Sequence, residues 1–242
     1  MGIFLQKKLM LAIVIELLLS WLLLKYTLGQ NLNVLNWYPY PKRLLLMLFG
    51  LALPLVYLSC LYLGISLWVQ NPYKLNPDYT AANFCKSSLF VLKGIVFEEL
   101  IFRGALLYIL IKKLNATKAV ILSAIAFGIF HWFSYGILGQ PIQMLVVLVS
   151  TGTMGYLFAF AFVKTRSILL PFALHLGYNF TSMILFSNEK NVGLQLLIKT
   201  YEKDPVQPEG ILPMIMVVVY YIGFPLLCFI CLKLLKPMAA DQ

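Results

Sequence analysis

An all-α, polytopic transmembrane helix bundle is the fold class that three observations predict. The 242-residue chain is 61% hydrophobic and only 12% charged, whereas a soluble domain is roughly half apolar and about a quarter charged. Its mean hydropathy is +0.86. Its apolar residues gather into seven runs, most of them near the ~20 residues that a helix needs to cross the ~30 Å hydrocarbon layer. A soluble globule could not cover so much apolar surface, and a disordered chain carries more charge. The whole chain, 1–242, reads as a single membrane-embedded domain of about seven or eight spans.

The first run covers about 9–28, behind Lys7 and Lys8. No small-x-small cleavage site follows it, which predicts an uncleaved first span. The second run, about 44–69, contains Pro54 as an expected kink. The third, about 84–111, is interrupted by Lys93, Glu98, Glu99 and Arg103. The remaining runs cover about 116–133, 142–163, 168–186 and 211–235, and the polar stretch 187–210 reads as a lid or a loop.

Lys and Arg number 19 against 9 Asp and Glu, a net charge of +10. Most of these cations lie between the apolar runs, where they anchor and orient spans, and their distribution mildly favours a cytoplasmic C-terminus. No basic face interleaved with aromatics occurs, so the expected partner is the lipid bilayer and not nucleic acid. No internal repeat supports an inverted-repeat transporter. Cys228 and Cys231 form a C-x-x-C in the last run, without a second Cys or His cluster nearby. They read as buried thiols acting as small apolar side chains more than as a redox or zinc motif.

Charge at the centre of a span costs about 2.5–3.5 kcal/mol on insertion scales, so ionisable residues there face the bundle interior and mark function. Only Glu16, Glu98 and Glu99 place carboxylates inside apolar runs, and both histidines of the chain, His131 and His175, sit in or at the edge of such runs. Glu99 and Arg103 are at i,i+4 with the acid first, the favourable order for an ion pair. Glu98 points about 100° away, which leaves it to face a polar cavity as a general base towards water. His175 and Asn179 share a face at the same spacing. Ala124 and Gly128 form a small-x-x-x-small face for close helix packing. Glu16 has no evident partner and reads as structural or pore-facing.

Two histidines, a carboxylate and an amide from three helices make a hydrolytic constellation. The carboxylate and one His would activate water, and the other His with Asn would stabilise an oxyanion. Glu98, His131 and His175 could equally hold a zinc ion with an open water position. On this chemistry alone a hydrolase and a proton relay or transporter are served equally well.

Three motifs, in order and each within an apolar run, sharpen the reading. They are E-E-x-x-x-R at Glu98-Glu99-Leu100-Ile101-Phe102-Arg103, F-x-x-x-H at Phe127-Gly128-Ile129-Phe130-His131, and H-x-x-x-N at His175-Leu176-Gly177-Tyr178-Asn179. Over about 84–186 the chain resembles the CPBP family, the CAAX proteases and bacteriocin-processing (Abi) membrane proteins. The resemblance implies an intramembrane endopeptidase acting on a membrane-associated peptide or protein. It makes Glu98 the catalytic carboxylate and His131 its partner in activating water. His175 and Asn179 become the oxyanion site, braced by Glu99 and Arg103. Family members are described both as metalloproteases and as metal-independent glutamate proteases, so the cofactor is zinc or none.

The short loops and Lys-rich flanks suggest a bacterial member in the cytoplasmic membrane, where maturation of, or immunity to, bacteriocins, pheromones or other peptides is the expected role. The alternative is a non-catalytic membrane scaffold or bacteriocin immunity protein, and a proton-coupled transporter ranks behind both.

Overall fold

The computed structural model describes residues 3–187, 192–202 and 204–238, with side chains from Leu9 onward, so parts of the 187–210 stretch lie outside the described residues. The described chain is almost wholly helical. Helix α1 (Ile3–Leu28) leads through a short turn into α2 (Pro41–Trp68). Strand β1 (Tyr73–Leu75) precedes α3 (Ala81–Arg103) and α4 (Ala105–Lys113). Helices α5 (Ala116–Ser134), α6 (Pro141–Thr165) and α7 (Leu169–Phe180) follow, and α7 continues as a π turn over Thr181–Leu185. Strand β2 (Leu197–Lys199) comes before α8 (Leu212–Val218), which passes through a second π turn (Val219–Gly223) into α9 (Phe224–Leu234).

Local chemistry sets these boundaries. Pro41 and Pro141 open their helices, where a missing N–H costs nothing. The side chains of Thr80 and Asn115 accept from the backbone N–H of Asn83 and Lys118, capping α3 and α5. The third apolar run is not one span but two helices broken at Gly104. A Cβ there would collide with the Leu100 carbonyl, so only glycine fits. The Ser123 hydroxyl donates to the Phe102 carbonyl at 2.9 Å, satisfying the end that the break leaves open.

Among the described residues five stretches are long and apolar enough to cross a membrane: Leu9–Leu28, Pro41–Trp68, Ala116–Ser134, Pro141–Thr165 and Leu212–Leu234. Helix α3 falls outside this set because Lys86, Lys93, Glu98, Glu99 and Arg103 dilute its hydropathy, and Leu169–Leu185 because it is shorter. These two helices are central. Helix α3 packs against α1, α4, α5, α6 and α7, while α7 packs against α2, α3 and α6. The costly charges thus lie on helices that other helices touch on several sides.

Close approach between helices is set by glycine. The predicted small face of α5 meets α6, where a Cβ on Gly128 would stand 2.7 Å from Leu148 Cδ1. Helix α2 stays helical through Pro54, and Gly177 of α7 lies against that turn. A Cβ on Gly177 would come 2.6 Å from the Leu51 oxygen and 2.7 Å from Pro54 Cγ. The two strands pair antiparallel, Lys74 opposite Ile198, and Tyr73 packs edge-on to Phe186 at 5.0 Å. This ties the α2–α3 link to the tail of α7. All four cysteines are free, and Cys228 is fully buried in the core with Phe224 and Leu232.

Gly177→Leu should lower stability by at least the ~1–3 kcal/mol of an overpacked core, read as a lower melting temperature in detergent. Gly64→Leu, with open space at its Cα, should leave the melting temperature nearly unchanged.

Candidate active site

Helix α3 supplies three adjacent functional side chains because i and i+4 lie on one face while i−1 turns aside. Glu99 and Arg103 point into the protein, 1% and 0% exposed, with Arg103 Nη1 3.4 Å from Glu99 Oε1. The contact is an ion pair without the geometry of a directed hydrogen bond, since Nη1 has no hydrogen-bond partner among the described residues. Aromatic rings supply the rest of the cation's surroundings. The guanidinium carbon lies 4.2 Å from the Phe127 ring centroid and 5.0 Å from that of Phe158, a cation–π arrangement that strengthens where water is excluded.

The same Glu99 oxygen accepts from His175. Nδ1 of His175 stands 2.8 Å from Glu99 Oε1, wholly buried. A carboxylate accepts only, so Nδ1 carries the proton and Nε2 becomes the ring's working nitrogen. That Nε2 lies 3.8 Å from Glu98 Oε2. The His175 ring is stacked on Phe158 at 4.8 Å and 23°, with Phe127 edge-on at 5.9 Å. The site is therefore a line running Arg103, Glu99, His175, Glu98, walled by two phenylalanines.

Glu98 closes the line at the protein surface. It lines an apolar groove of about 400 Å³ between α1, α3 and the end of α7, and Asn179 lines the same groove. Its Oε2 has no hydrogen-bond partner among the described residues. His131 lies to the side. Its Nδ1 donates to the Phe127 carbonyl at 2.8 Å, and its ring packs on Phe127 at 4.5 Å and on Tyr135 at 5.2 Å.

The structure thus gathers Glu98, Glu99, Arg103 and His175 into one cluster, sets Asn179 beside Glu98 on the groove, and links His131 to the cluster through the Phe127 ring. The sequence reading paired Glu99 with Arg103 and assigned His175 to an oxyanion site. The geometry adds that Glu99 is shared between Arg103 and His175, and that His175 faces both carboxylates. Sequence reasoning missed Phe158, which carries no signal in so apolar a chain. It also gave no role to Phe127, although that residue opens the F-x-x-x-H motif.

Among the described residues no group of three His, Cys, Asp or Glu is placed to hold a metal ion. His175 Nδ1 and His131 Nδ1 each donate to a protein oxygen, an arrangement that orients an imidazole whether or not its Nε2 serves a metal.

A buried acid and imidazole thus lie beside a groove that Glu98 and Asn179 line. Residues 81–181 match the family model described as type II CAAX prenyl endopeptidase Rce1-like. That segment holds all three motifs and agrees with the resemblance they carry, so it is CAAX-protease-like and part of a multi-pass integral membrane protein. No curated protein and no solved structure matches the chain.

Arg103→Met strips the cation from a buried carboxylate and should cost about 3–5 kcal/mol, measured by unfolding in detergent. Adding Glu99→Gln to it should recover part of that loss, since the two residues act as one unit.

Proposed function

We propose that the protein is an intramembrane endopeptidase that hydrolyses a membrane-associated peptide or protein. The observation that carries the reading is the Glu99–His175–Glu98 line ending at the groove, within a segment similar to a prenyl endopeptidase family. Glu98 is the general base. It takes a proton from water as the oxygen adds to the scissile carbonyl. His175, held by Glu99 with Nε2 towards Glu98, shares that proton and returns it to the leaving amine. The Asn179 amide donates to the oxyanion of the tetrahedral intermediate. His131, with Nδ1 committed to the Phe127 carbonyl, acts through Nε2 on the same water or carbonyl. Arg103 does not touch substrate; it pairs with Glu99, and Glu99 holds His175.

Every step uses side chains of the chain, which makes this a glutamate-driven reaction. We assign it to peptide or protein maturation in a bacterial cytoplasmic membrane, with bacteriocin or pheromone precursors as the substrate class.

Purified protein should cleave a membrane-associated peptide, and Glu98→Gln should slow cleavage by at least the ~10²-fold of a lost general base. Undiminished cleavage in that variant, folded as judged by its melting temperature, overturns the reading. Activity should also withstand chelators, and loss on chelation that zinc alone restores would replace the glutamate mechanism with a metal-dependent one.

A further inference from the structure

Glycine inside a helix costs about 0.5–1 kcal/mol relative to alanine, so a mid-helix glycine in a bundle calls for a reason. At Gly50, Gly128, Gly155 and Gly177 the reason is contact: an added Cβ would lie 2.6–3.0 Å from a neighbouring helix. Gly94, in the middle of α3, is different. Its backbone is ordinary α-helix, and a Cβ there would meet nothing within 4 Å. Gly64 of α2 shares that openness but sits on the outer surface, whereas Gly94 is half-buried and lines the groove that ends on Glu98.

The position within the groove is specific. Gly94 stands about one helical turn, a rise of about 6 Å, before Glu98 on the same face of α3. Across the groove Met183 stands one turn beyond Asn179. The walls therefore form two levels. Glu98 and Asn179 make a polar level and Gly94 with Met183 an apolar one, and Leu9 and Ala12 of α1 line the same groove. A peptide group at the polar level places its neighbouring side chain about one turn away, opposite the missing Cβ of Gly94.

We propose that Gly94 is a specificity-determining residue: its absent side chain opens an apolar subsite that receives a large apolar side chain of the substrate next to the scissile bond. The occupant follows from the two levels. The apolar level is continuous with the group that activates water, so whatever fills it belongs to the chain being cut. The flexible thioether of Met183 suits a wall that must adapt to different apolar shapes. The inference rests on the peptidase reading above and names which residues that peptidase prefers.

The test uses the purified full-length chain in detergent and a mixed library of apolar peptides, with cleavage points read by mass spectrometry. Wild-type protein should select Leu, Ile, Phe or Met over Ala and Gly at one position flanking the cut. Gly94→Leu should reverse this preference by about tenfold or more, the discrimination that apolar pockets make on side-chain size, with most of the change in KM. Gly94→Ala should give an intermediate shift, and Gly64→Leu none. Unchanged selectivity in a Gly94→Leu protein that still cleaves overturns this inference and leaves the peptidase intact. Absence of Glu98-dependent cleavage in wild-type protein overturns both.

Discussion

Glu99 is a carboxylate buried to 1% exposure in the apolar centre of a helix bundle, and the site is arranged around compensating it. A lone carboxylate there would be expelled or neutralised. Arg103 supplies the opposite charge from one turn away, and His175 supplies a directed N–H from another helix. Two phenylalanine faces then take up the guanidinium that the carboxylate does not fill. Because α3, α5, α6 and α7 each contribute one partner, the relative placement of four helices is fixed by a single oxygen atom and its neighbours. Buried ion pairs are weak sources of net stability but costly to break, so their effect here is to hold one arrangement against its alternatives.

The fold class was legible because membrane solvation leaves few options. Every long apolar run became a helix, as the backbone in hydrocarbon requires. What periodicity could not show was the break at Gly104, because the clash that demands glycine there is with the preceding turn and leaves no mark on hydropathy. The count of spans was blurred for a related reason. Helix α3 is long enough to cross but carries five charged residues, and two of them, Glu99 and Arg103, are buried against neighbouring helices.

The candidate site was legible as a set of residues and only partly as a set of contacts. Intramembrane charge is rare enough that Glu98, Glu99, Arg103, His131 and His175 stood out from the 61% apolar background. Spacing revealed the pair within α3 but could not reveal which residue of another helix would share it. The His175–Glu99 bond joins positions 76 apart, and no local pattern encodes that. Phe127 and Phe158 were hidden for the opposite reason: aromatic rings are common here, and only their placement over a cation distinguishes them.

The π turn at Thr181–Leu185 begins two residues after Asn179. Such a turn accommodates one residue more than an α-helical turn, and one residue is about 100° of rotation. His175 and Asn179 look into the site from the regular part of the helix, while beyond the turn Phe186 looks towards Tyr62 of α2 and Tyr73 of β1. The widened turn acts as a phase adjuster between these two views. A change of one residue in its length would rotate the end of the helix that carries Phe186 and leave the motif where it stands. The contacts of Phe186 are thus set separately from the side chains that the motif presents.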